Sequence, residues 1–156
     1  MNRDEKNILL ARYLGFKEYK QSKIRYKEDV ISFLMNHEDL NSNYLLRAGQ
    51  LEFDTNLNWI AVVVKELRCP NFESTKLDLL REVIFTKTRD LDVGDIFDAV
   101  FEYISELLRE VERHVNSLSA RDILRQSGKD SIEEARAYMV NFYWKLNARQ
   151  REIKSV

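Results

Sequence analysis

Residues 93–116 read VGDIFDAVFEYISELLREVERHVN, and the rest of the chain takes its fold class from this stretch. Val93, Phe97, Val100, Ile104, Leu107, Val111 and Val115 recur at steps of four and three, the period of one face of an α-helix. Ile96, Phe101, Tyr103 and Leu108 widen that stripe beyond a coiled-coil seam, so the helix should pack against more than one partner. The same stretch carries a second pattern. From Arg89 to Glu112, eight acids (Asp90, Asp92, Asp95, Asp98, Glu102, Glu106, Glu110 and Glu112) stand against Arg89 and Arg109, a net charge of -6. Asp95, Asp98, Glu102, Glu106 and Glu110 lie three or four apart, which predicts one acidic stripe beside the apolar one.

A chain of 156 residues is long enough for one domain with a substantial core. Its 44% hydrophobic content excludes a disordered chain, and only four Gly and one Pro favour helices because few breakers interrupt the pattern. The net charge of -1 supplies no global attraction to nucleic acid or membrane. Cys69 is the only cysteine, so no intramolecular disulfide can form and a reducing compartment is expected. The charged start MNRDEKN does not read as a signal peptide. The longest apolar run, Trp59 to Val64, is far short of a membrane span. These features predict a soluble cytoplasmic protein.

On either side of the long helix the pattern is mixed. Asp4 can cap a helix to about Leu14, with Gly15 at its left-handed end and Phe16 folding back. Lys17 to Lys27 (KEYKQSKIRYK) has no clear period and reads as a loop or an irregular edge strand. Lys27 to Met35 leaves helix and strand both open. Asp54 or Thr55 can cap a helix from about Asn56 to Arg68, stopped by Pro70. Arg81 to Thr88 (REVIFTKT) has the composition of a strand, with Phe72 to Leu77 as a candidate partner. After Asn116 a short helix should end at Gly128, and Ser131 with Glu134 fits a capping box opening a last helix. The expected fold is α+β and helix-dominated, with helices on a small antiparallel sheet near 71–88. Residues 1–116 form the compact domain, and 117–156 form a helical extension packed on it or on a partner.

The residues of common catalytic and metal sites are missing. His37, His114 and Cys69 lie at no metal-ligand spacing, and the isolated glycines build neither a phosphate loop nor a dinucleotide fingerprint. The sequence therefore predicts no enzyme, no cofactor and no metal. Charge placement is more informative. The acidic stripe is either a solvated face, compensated by the basic last helix, or a surface that docks on a basic groove. Lys17, Lys20, Lys23, Arg25 and Lys27, interleaved with Tyr19 and Tyr26, form an alternative basic and aromatic patch together with Lys145, Arg149 and Arg151. Stacking combined with phosphate contacts is how single strands are held.

Three segments in order are similar to small phage and prophage proteins carrying the phage ABA sandwich domain. Asn7-Ile-Leu-Leu-Ala-Arg-Tyr-Leu-Gly15 resembles the family's opening helix. Leu51-Glu-Phe-Asp-Thr-Asn-Leu-Asn-Trp59, continuing to Leu67, resembles its Trp-led helix, although Leu57 replaces an aromatic residue and Ala61 the usual proline. Asp95 to Ile104 resembles its closing helix. The resemblance spans roughly 3–108 and implies helices on a small antiparallel sheet and a mobile-element origin, without catalytic residues. Three functions follow as expectations. The first is a non-enzymatic phage accessory protein that binds a macromolecule, for instance an anti-CRISPR-type inhibitor of a host defence nuclease using the acidic face. The second is a nucleic-acid-binding accessory factor. The third is a self-assembling module, dimeric through the broad apolar arc of the last helix.

Overall fold

The computed structural model describes residues 1–22, 29–35 and 44–148 of the chain. The long helix forms where its period predicts it: α4 spans Val93–Ser117. Asp92 caps it, with its Oδ1 accepting the Asp95 N–H at 2.9 Å, which satisfies a donor the helix cannot use internally. Val100, Ile104, Leu107, Val111 and Val115 are completely buried along one face. That face serves two partner sets. Ile96 to Leu107 join the main core, and Val115 joins a second cluster with Ile123, Ala135 and Met139.

Four helices pack directly on α4: α1 (Arg3–Tyr13), α2 (Leu57–Lys65), α3 (Thr75–Thr88) and α6 (Ile132–Asn147), while α5 (Ala120–Ser127) packs on α6. The termini show why each helix starts and stops. Asn2, rather than Asp4, caps α1, in a reciprocal box with Glu5. At its other end Gly15 adopts φ 75°, and the amides of Gly15 and Phe16 donate to the Arg12 and Ala11 carbonyls. This is the left-handed stop that glycine permits. Asn56 caps α2 in place of Asp54 or Thr55, because Asp54 is committed to Arg3 and Asn7. Ser131 stands at the start of α6 but its side chain makes no capping hydrogen bond.

The sheet is not where strand-like composition placed it. It is built from β1 (Lys17–Ser22), β2 (Asp29–Met35) and β3 (Tyr44–Arg47), in the order β1-β2-β3 and antiparallel throughout. Residues 71–88 instead contain α3, capped by Ser74. Leu77 and Ile84 are buried seven residues apart, with Leu80 packed beside them, whereas Val83 and Phe85 point outward. A strand would alternate these side chains, while a helix puts 77, 80 and 84 on one face against α4. Packing therefore overrides the β-propensity of REVIFTKT. In β2, Phe33 is buried and pairs with Glu18 on one side and Leu46 on the other. Lys17 to Lys20 on the outer strand are all exposed.

Two polar anchors and an aromatic set join distant segments. The buried Asn7 accepts the Phe53 N–H at 3.0 Å and donates to the Arg3 carbonyl and the Asp54 carboxylate. The backbone of Arg68, just beyond α2, is held from both sides. Tyr103 Oη donates to its carbonyl at 3.1 Å, and its N–H donates to Tyr13 Oη at 3.3 Å. Burial pushes both phenols above their ordinary pKa, so both are neutral at physiological pH. Phe53 packs edge-on to Trp59 at 5.1 Å, and Tyr13 to Trp144 at 6.1 Å. Trp144 and the Asn147 side chain, which accepts the Asn71 N–H at 2.7 Å, tie the region after Asn116 to the first 116 residues.

Candidate binding site

The row of acids on α4 divides into two groups. Each four-residue step advances about 40° around a helix, so Glu110 lies about 120° from Asp98 whereas Glu112 returns to within about 40° of it. Asp98, Glu102 and Glu112 accordingly line an open cleft of about 750 Å³ between α1 and α4. Its apolar wall comes from Met1, Leu9, Phe101 and Leu108, and Lys6 and Arg109 are its cations. Asp98 and Glu102 are exposed and make no ion pair among the described residues. Lys6 Nζ sits 4.9 Å from the Phe101 ring centroid, so a cation already occupies one face of that ring. Ser105 Oγ, on the same wall, is shielded from solvent and has no hydrogen-bond partner among the described residues. Asp95 is exposed in the first turn of α4.

Glu106 does not belong to an open acidic surface. Its side chain is 1% exposed and is held by Lys76 Nζ at 3.2 Å, Arg109 Nε at 2.9 Å and Arg113 Nη1 at 3.5 Å. Glu110 is also paired with Arg113. Among the described residues, the cations that pair with Glu106 and Glu110 come from α3 and from α4 itself. Burial alone would raise the Glu106 pKa, but hydrogen bonds and charges from Lys76 and Arg109 outweigh it and hold the carboxyl below its ordinary value. A depressed folded-state pKa stabilises the fold above the unfolded value, and that stability is lost as pH falls through the folded one. The Glu106→Gln variant should thus lose about 1 kcal/mol at neutral pH, discounted for its exposed partners. It should also destabilise less than wild type below about pH 4.3, the ordinary glutamate value. Urea melts from neutral to acid pH check both, and parallel curves would show that the clamp contributes nothing.

Only part of the alternative basic patch can be placed. Lys17 and Lys20 are exposed on β1, and Lys17 Nζ lies 5.1 Å from the Tyr19 ring centroid. Lys145 is exposed on α6 and lines a hollow of about 420 Å³ with Arg12, Phe16, Glu18 and Trp144. The structure thus brings the start of β1 to the side of α6 that carries Lys145. Lys23, Arg25, Lys27, Arg149 and Arg151 lie outside the described residues, as does His37. The His114 ring is tilted against Phe72 at 5.4 Å and edge-on to Tyr143 at 4.5 Å, and Cys69 is a free, exposed thiol. Among the described residues no three His, Cys, Asp or Glu are grouped to hold a metal, and no helix is long and apolar enough to cross a membrane.

Of the cleft's acids and cations, the stripe reading missed Glu112, Lys6 and Arg109, and it did not place Phe101 beside them. A signal for Glu112 was present: Asp98, Ser105 and Glu112 follow one another at intervals of seven, which keeps one helix face better than intervals of four. Nothing local marked Lys6, which reaches the cleft only because α1 packs beside α4.

Fold and site together define a helix-dominated α+β protein with a small antiparallel sheet and an acidic, aromatic-walled cleft. Searches of family models, curated proteins and solved structures found no match.

Proposed function

We propose that this chain is a non-enzymatic accessory protein that binds a basic macromolecular partner through the α1/α4 cleft. The observation that carries this reading is the pair of exposed carboxylates, Asp98 and Glu102, which make no ion pair among the described residues and line the same cleft as Phe101. An arginine side chain suits such a place, since its planar guanidinium can pair with a carboxylate through two parallel hydrogen bonds. Glu106 and Glu110 are already paired internally and do not line this cleft. The partner of this description is a protein with a basic groove of the sort that holds nucleic acid. A host defence nuclease, inhibited in the anti-CRISPR manner, is the version that also accommodates the resemblance to phage proteins.

The test uses a fluorescently labelled oligo-arginine peptide as a stand-in for the basic groove, with an oligo-glutamate peptide as control. Wild type should bind the first in a salt-sensitive way and not the second. Joint reversal of Asp98→Lys and Glu102→Lys should weaken binding at least about tenfold, equivalent to about 1.4 kcal/mol, while Glu106→Gln should leave it within about twofold. Undiminished binding by the double variant would remove the cleft from the mechanism.

A further inference from the structure

The last helix presents two apolar faces; among the described residues one packs on the core, while the other stays largely exposed, with Lys129 Nζ 5.5 Å from its Tyr138 ring centroid. Ala135, Met139 and Asn147 face inward, with Tyr143 and Trp144 packed beside them. Tyr138, Phe142 and Leu146, four residues apart along the helix, are 44%, 44% and 45% exposed. Lone exposed apolar residues are ordinary, but three large ones in a continuous line form a patch that water solvates poorly. Charge is distributed unevenly about this line. Glu133 and Glu134 lie exposed in the first turn, and Lys145 lies exposed near the other end. Neither Glu134 nor Lys145 makes an ion pair among the described residues.

We infer that the occupant of this face is a second copy of the chain, paired through the exposed line of α6 in antiparallel fashion about a two-fold axis that passes midway between Tyr138 and Phe142. That arrangement sets Tyr138 of each copy opposite Phe142 of the other. It also brings Glu134 of each copy to the end of the facing helix that carries Lys145. The pattern is self-complementary, as an isologous interface requires: one patch meets itself, and each charge meets its opposite twice. A parallel pairing would instead set Glu134 against Glu134 and Lys145 against Lys145. The whole chain carries a net charge of only -1, so long-range repulsion between copies is small. Three side chains per copy make a small interface, so the dimer is weak and concentration-dependent. None of the cleft residues takes part, and the pairing stands or falls separately from the partner-binding reading.

Sedimentation equilibrium of the full chain, from low to high micromolar concentration, tests the pairing. Wild type should pass from monomer to dimer across that range, and Phe142→Glu should remain monomeric. Because Phe142 also touches Tyr143 edge-on at 5.4 Å, charge swaps at exposed positions give an independent reading. Glu134→Lys alone and Lys145→Glu alone should each raise the dimer dissociation constant at least about tenfold, and the double swap should return it to within about threefold of wild type. Far-ultraviolet circular dichroism confirms that each variant is folded. A wild type that stays monomeric throughout, a Phe142→Glu variant that still dimerises, or a double swap that fails to rescue overturns the proposal.

Discussion

Replacing Asn7 by alanine is expected to lower stability by about 3 kcal/mol, although the side chain removed is small and polar. Asn7 is fully buried and uses both ends of its amide. Its Oδ1 is the acceptor for the buried Phe53 amide, and its Nδ2 donates to the Arg3 carbonyl and to Asp54 Oδ1. Alanine would leave the Phe53 N–H without a partner, and a buried orphan donor costs more than an average hydrogen bond contributes. It would also loosen Phe53, whose ring packs on Trp59 at the start of α2. Asp54→Ala is the informative comparison. It removes one of the same hydrogen bonds and the part-exposed Arg3 pair but leaves the Phe53 amide satisfied, so its effect should be about half as large. Urea denaturation midpoints at constant slope would measure both. An Asn7→Ala loss below about 1 kcal/mol would mean that the Phe53 amide finds another acceptor, and that Asn7 is not the link between α1 and residues 53–54.

Leu107→Ala should cost a similar amount, about 3 kcal/mol, by a different route. Leu107 is completely buried on the inward face of α4 within the main core. Truncation loses the transfer free energy of its methyl groups and leaves a cavity that helices fixed by several neighbours cannot close. The adjacent Leu108 provides the contrast. It lies on the cleft wall, partly exposed, so Leu108→Ala should cost less than about 1.5 kcal/mol. Equal losses at the two positions would mean that α4 is rotated from the orientation described, and the cleft would lose its wall.

How much of this was legible differs from element to element. α4 was readable to within a residue at its ends because its apolar period is sustained over many turns and few breakers interrupt it. Gly15 and Gly128 marked helix ends, both with positive φ, because only a residue without a Cβ takes that geometry cheaply. The reading of 71–88 as sheet went wrong because REVIFTKT is short. Over eight residues, composition outweighs period, and only the burial of Leu77 and Ile84 against α4 decides the matter. Caps were misplaced by two residues at α1 and by one or two at α2. Several Asp and Asn residues compete at each start, and the choice depends on whether a carboxylate is needed elsewhere, as Asp54 is.

Helix-dominated α+β character, the length and facing of the central helix, and its excess of acid all reside in local pattern, since period and propensity act between near neighbours. Which acids are open and which are clamped was decided only when α1 and α3 packed on α4. Lys76 and Lys6 arrive from segments about 30 and 100 residues away in the chain, and a contact that distant leaves no trace in helical spacing. The same holds for the last helix. Its sequence is apolar over a broad arc, but only packing shows that Met139 is spent on the core while Tyr138, Phe142 and Leu146 remain outside.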